Sequence, residues 1–399
     1  MSRSALQTRP ALSSRYARTA RCRGAVGTDP SGPRISTGPS TVKRTDGANP
    51  ITTSIAAERT HGESINAATG PLATACPPGR PYDQPVLTPT YRDVALANTR
   101  IRTLTRPLTV LPAHDLLPGT RLWLACEFLQ HTGSFKARGA ANFLAELHAA
   151  AAVPAAGISA STGRNADIGF AWAAQQFGVK ATVFLALGTA AAKVERLRAL
   201  GAEVRLTGAT QADAEAAARE FCARTGAIDA YSHDEQPASA GAGTILLELL
   251  DTVGALDTVV LAVGAGGMFS GIAAVAHEHG IRVVGGEPQG SQALHTALAH
   301  GGVTDVDIDS IAADSLGAPR VSPAALNWAR ATDAHSVLVG DHDLVAARRL
   351  LWDRYRLVVE HGSATGIAVL ATGAYRPAPD ENVAVILCGA NTDPADLSG

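Results

Sequence analysis

Lysine is the scarcest ordinary cation in this chain. The 399 residues hold 34 Lys and Arg together, and only Lys43, Lys136, Lys180 and Lys193 are lysines. Plain positive charge is supplied by arginine, so a lysine that is kept asks for a chemical reason. An ε-amine, unlike a guanidinium, can lose its proton when buried and then form a Schiff base or accept a proton. Cysteines are also few: Cys22, Cys76, Cys126, Cys222 and Cys388, an odd number without a Cys-x-x-Cys pair. That argues against a disulfide framework and a zinc site, and leads us to expect a reducing, cytoplasmic setting. No charge-free apolar run reaches the roughly 18 residues a membrane helix needs, so no membrane partner is expected. The formal net charge of −2 leaves no basic footprint for nucleic acid, and the expected partner is a small molecule.

What the chain does have is apolar bulk, 46% hydrophobic residues against 18% charged, enough for a large core and two or three domains. Residues 1 to about 80 stand apart. They are rich in Arg, Ser, Thr, Pro and Gly, poor in acids and without apolar periodicity, and are expected to be disordered. Such an Arg- and Ser-rich start has the composition of a transit peptide or of a start read too far upstream, and we favour the second. From residue 84 onward, strand-like runs alternate with alanine-rich helical stretches. Strands are expected at 121–127, 157–161, 181–186, 203–207, 259–263, 283–286, 336–339 and 383–388. Helices are expected at 138–150, 166–178, 190–200, 211–225, 239–254, 268–279, 341–356 and 364–374. The alternation predicts an α/β fold with a mostly parallel sheet, in which ligands sit where strand ends turn into helices.

Four segments occupy such ends. Thr132-Gly133-Ser134-Phe135-Lys136-Ala137-Arg138-Gly139-Ala140 carries the second lysine into an alanine-rich helix. Ser159-Ala160-Ser161-Thr162-Gly163-Arg164-Asn165-Ala166-Asp167-Ile168-Gly169 turns a strand into a helix whose N-terminal N–H groups suit an anion. Val263-Gly264-Ala265-Gly266-Gly267-Met268-Phe269-Ser270-Gly271 is glycine-dense, but Phe269 breaks the dinucleotide fingerprint and no Gly-Lys-Ser/Thr follows. Leu387-Cys388-Gly389-Ala390-Asn391 closes the last strand.

In this order the four segments resemble those of the fold-type II pyridoxal phosphate (PLP) enzymes, most closely the serine/threonine dehydratases, over residues 100 to 397. The resemblance implies a two-domain α/β fold of twisted, mostly parallel sheets with helices on both faces. A large cofactor-binding domain would comprise 84–150 plus 237–399, and a small domain at 151–236 would close over the substrate, with 1–83 an extension outside both. Lys136 would carry the cofactor as a Schiff base, with Phe135 beside the ring. Gly264, Ala265, Gly266, Gly267 and Met268 would offer N–H groups to its phosphate, Asn165 would contact its 3′ oxygen, and Cys388 would face the pyridine nitrogen. Ser161, Thr162, Gly163, Arg164 and Asn165 would hold the substrate carboxylate, chiefly through backbone N–H groups. This loop departs from the pattern by an apparent insertion at Arg164 and by Ala166 in place of the usual histidine; Arg164 could reach a second substrate carboxylate or point to water. Thr162 stands where related racemases carry a second base.

The implied reaction is β-elimination from a β-hydroxy amino acid such as L-threonine or L-serine, giving a 2-oxo acid and ammonia, with Lys136 as the base. β-Replacement, racemisation, a cofactor-binding protein without turnover and a nucleotide-binding oxidoreductase remain as alternatives. A homodimer or homotetramer is implied. No regulatory domain is expected after the Cys388 segment. Glu287 resembles a cation ligand of some relatives, but Ala293 stands where an Asp would complete the shell, so no metal is expected and Glu287 reads as a capping or ion-pair residue. His277-Glu278-His279 lacks the spacing of a helical metal pair and reads as a solvated helix end.

Overall fold

A computed structural model describes residues 89–230 and 236–397. The expectations for residues 1–83, together with Cys22 and Cys76, lie outside these. The strands are β1 (Val110–Pro112), β2 (Arg121–Ala125), β3 (Ile158–Ala160), β4 (Ala181–Leu185), β5 (Glu203–Leu206), β6 (Ile228–Asp229), β7 (Thr258–Ala262), β8 (Arg282–Pro288), β9 (His335–Val339) and β10 (Asn382–Ile386). Six of them form a sheet in the order β1-β2-β10-β7-β8-β9, and four form a second in the order β5-β4-β3-β6. Every pairing is parallel except β1 with β2.

Position in the sheet follows from side-chain chemistry. β7 (Thr-Val-Val-Leu-Ala) and β4 (Ala-Thr-Val-Phe-Leu) are buried at every residue and lie inside their sheets, as strands covered on both faces must. The edge strand β5 leaves both its ends exposed. All eight strands expected from the sequence are present, and each falls within two residues of the predicted limits. β1 and β6, three and two residues long, carry too little pattern to be seen beforehand. The helices Tyr91–Ile101, Ala293–His300, Ala313–Leu316 and Pro323–Ala331 were likewise not anticipated. Two of these begin with standard caps: Thr90 and Asp93 form a capping box, and the Ser322 side chain accepts from Ala325 N with Pro323 in the first turn. Glu127, expected at a strand end, instead opens a 3-10 turn.

That turn is bound to the helix of Lys136. Arg138, fully buried, donates from Nε to Glu127 Oε1 at 2.6 Å and from Nη1 to Glu248 Oε1 at 2.5 Å, and Glu248 also accepts Leu108 N–H. Burial pushes the Glu127 carboxyl up, and the Arg138 guanidinium opposes the shift. The cluster joins helix Lys136–Ala149 to helix Gln236–Val253 and to the segment after β2. Residues 151–236 contain all four strands of the second sheet.

Candidate active site

Helix Lys136–Ala149 has no side-chain N-cap, so its start is set by the chain before it. Thr132 and Gly133 are both left-handed, at φ 69° and 72°. This twist lays the next residues against the end of β10: Phe135 N–H donates to Cys388 O at 2.9 Å, Ala390 N–H donates to Gly133 O at 2.9 Å, and Ser134 bridges Gly389. Lys136 is thereby brought beside Cys388. From the other side comes helix Asn165–Phe177. A Cβ on its Gly169 would stand 3.0 Å from Lys136 O and 3.1 Å from Lys136 Cβ, so the absence of a side chain lets the two helices cross closely at Lys136.

One cleft is lined by Phe135, Lys136, Arg164, Asn165, the turn 264–268 and Cys388. Of the residues anticipated from the sequence, these come together; Ser161, Thr162 and Gly163 are not in its lining. The glycine turn follows β7. Gly266, at φ 95°, caps helix Gly267–His279, and a Cβ there would meet Ala325 Cβ at 2.3 Å. A turn with so few side chains at a helix N-terminus presents N–H groups and a positive dipole end to an anion. Across the cleft Cys388, 6% exposed, has its thiol pushed up to about 12 by burial, so it is neutral. A lysine, a helix-capping glycine turn, a neutral thiol and an amide in one cleft fit the parts of PLP: aldehyde, phosphate, pyridine nitrogen and phenolic oxygen.

The cleft also holds a residue that sequence reasoning missed. Glu360 is 2% exposed, at the start of helix His361–Ala371, and accepts Asn165 Nδ2–H at 2.8 Å and Asn391 N–H at 2.8 Å. Burial raises its carboxyl, while these bonds lower it. Asn165 Oδ1 in turn accepts from Asn391 Nδ2 at 2.8 Å. No local signal marks a lone glutamate 195 residues from the asparagine it meets.

Arg164 does not simply point to water: its Nη2 donates to Gly317 O at 2.8 Å. Thr162 is buried, and its hydroxyl donates to Asp167 Oδ1 at 2.9 Å. Glu287 caps helix Ala293–His300, accepting Leu294 and His295 N–H at 2.8 Å each. Among the described residues no cluster of three metal-ligating side chains occurs. His277, Glu278 and His279 are exposed. No helix among the described residues is long and apolar enough to cross a membrane.

Comparison with known proteins points to the same cofactor. Residues 101–389 match the family model described as pyridoxal-phosphate dependent enzyme. The phenylserine dehydratase of Ralstonia pickettii is 32% identical over 78% of this chain and 95% of its own. The L-threonine ammonia-lyase of Geobacter sulfurreducens is 31% identical over 77% of each. The solved serine racemase of Dictyostelium discoideum superposes with a TM-score of 0.71 at 27% identity, over 77% of this chain and 100% of that one. With a cleft suited to the cofactor and a family match over most of its length, this chain belongs to the pyridoxal-phosphate-dependent enzymes of fold type II, in the group of the dehydratases and racemases.

Proposed function

We propose that this chain is an ammonia-lyase that removes water from a β-hydroxy amino acid, such as L-threonine or L-serine, and releases a 2-oxo acid and ammonia. When bound, PLP supplies an electron sink that acidifies the substrate Cα–H. Lys136 would be its covalent anchor, residues 264–268 its phosphate cup, and Asn165 the partner of its 3′ oxygen. With the cofactor bound, the Lys136 amine would be the general base that takes the substrate Cα proton. The β-hydroxyl would take up one proton and leave as water, balancing the proton taken from Cα, and the enamine product would be hydrolysed by water to the 2-oxo acid and ammonia.

The observation that carries this reading is the neutral Cys388 thiol in the Lys136 cleft, tied in place by the Phe135 N–H to Cys388 O bond at 2.9 Å. A thiol cannot hold a protonated pyridine ring as a carboxylate would, so the ring is a moderate sink. That suits prompt loss of a β-substituent better than the longer-lived carbanion racemisation needs. Racemisation also needs a second base. The Thr162 hydroxyl, which the resemblance offered for that role, is bonded to Asp167 and outside the cleft lining. The names of two relatives at 31–32% identity, a phenylserine dehydratase and an L-threonine ammonia-lyase, support the same choice. We read 151–236 as a small domain that closes on substrate and excludes water, and the active form as a homodimer or homotetramer in the cytoplasm.

The experiment is to supply the holoenzyme with L-serine, L-threonine and L-threo-3-hydroxyaspartate in turn and follow 2-oxo acid and ammonia. Product from serine or threonine is expected. Lys136→Ala should abolish both product and the visible absorbance of bound cofactor; full activity in that variant would sink the assignment.

A further inference from the structure

The loop after β3 is closed on itself. Thr162 N–H donates to Asp167 Oδ1 at 2.8 Å, and Arg164 N–H donates to Thr162 Oγ1 at 3.1 Å. Asp167 is fully buried beneath the turn. Lys193 Nζ donates to Gly163 O at 2.5 Å, and Gln211 Nε2 donates to Ser161 O, so the carbonyl side is held as well. Backbone donors that already serve a buried carboxylate and a hydroxyl are poorly placed to serve a second anion, because each N–H has one hydrogen to give.

The side chain of the same loop does enter the cleft. Arg164 lines it together with Lys136, and its Nη2 donates to Gly317 O at 2.8 Å on a wall that includes Ser315, Leu316 and Ala318. A carbonyl engages one of a guanidinium's five donors, and the planar fork matches a carboxylate edge-on. Glu360, nearly buried, lines the cleft too, so an arriving carboxylate meets a like-charged group when Glu360 is ionised and gains from a cation at hand.

We propose that the Arg164 guanidinium, in place of the Thr162 and Arg164 backbone N–H groups, holds the α-carboxylate of the amino-acid substrate. The tie to Gly317 sets the plane of the fork, and the closed Thr162–Asp167 turn sets where the side chain leaves the backbone. This rests on reading the cleft as an amino-acid site, not on elimination as the reaction.

The test uses ligands that bind without turnover. L-Alanine has no β leaving group, and L-alaninamide has no carboxylate; each is titrated into holoenzyme and followed by the absorbance change of bound cofactor. Wild type should prefer alanine. R164Q should weaken alanine by about 10- to 100-fold, the range for losing a charged hydrogen-bonded partner, and leave alaninamide unchanged. R164K, which keeps the charge but loses the fork, should recover part of the loss. Equal weakening of both ligands in R164Q would make Arg164 a mere tether to Gly317. Unchanged alanine affinity in R164Q, or no preference in wild type, would return the carboxylate to the backbone; each of these outcomes overturns the proposal. An enzyme that releases no ammonia from any hydroxy amino acid, yet shows the Arg164-dependent preference, would defeat the elimination reading and leave this one standing.

Discussion

Asn165 Nδ2 donates to both oxygens of Glu360, at 2.8 and 3.1 Å, joining the loop after β3 to the start of helix His361–Ala371. Asn391 completes the triangle by donating to Asn165 Oδ1 and, from its backbone, to Glu360. The amide expected to meet the cofactor is therefore oriented by a carboxylate on the opposite sheet's side of the cleft.

If Glu360 acts through Asn165, their effects are not independent. Glu360→Ala and Asn165→Ala should each lower ammonia production about 10- to 100-fold, and the double variant should be little worse than either, a coupling of about 1 kcal/mol or more. Steady-state kinetics on the four enzymes measure this; strictly additive losses would separate the two residues.

Glu287 gives a pH signature. Burial pushes its carboxyl up from 4.5 to about 7, against the two backbone N–H groups it caps. A folded value above the unfolded one favours the folded state while the group is protonated. That contribution is whole below pH 4.5 and is lost as pH rises through about 7. Wild type should therefore lose on the order of 3 kcal/mol relative to Glu287→Gln between those limits. Urea unfolding at pH 5 and pH 8 reads the difference, and a constant gap would contradict it.

The buried ion cluster makes a stability prediction. Arg138→Met leaves Glu127 and Glu248 without their guanidinium, and Glu127 is 1% exposed. A loss of about 3–5 kcal/mol is expected. Adding Glu127→Gln should recover part of it, because the uncompensated buried charge is then gone. Chemical denaturation of both variants decides.

Gly266 tests the phosphate cup. At φ 95°, with Ala325 Cβ 2.3 Å from where a methyl would sit, Gly266→Ala must shift the turn or helix Pro323–Ala331. We expect about 1–3 kcal/mol of destabilisation and a cofactor affinity reduced at least in proportion. Cofactor titration and thermal melting measure the two effects; wild-type affinity would remove this turn from the phosphate site.

The sequence by itself determined the α/β alternation and the four strand-end loops, because those signals are local. Apolar runs such as Thr258–Ala262 are wholly buried and end in glycine turns, and Lys136 stood out in a chain that otherwise spends arginine. Tertiary structure alone decided who meets whom. Strand β10 lies between β2 and β7, which brings Cys388 to Phe135 and Asn391 to Asn165 across more than two hundred residues of chain. Asp167 shows the same limit at short range. Five residues from Thr162, it reads as an ordinary first-turn acid, yet in the fold it turns back and occupies the loop's own donors. A hydrogen bond has no periodicity along the chain, so neither Glu360 nor the closed 162–167 turn could be read before the backbone around them was folded.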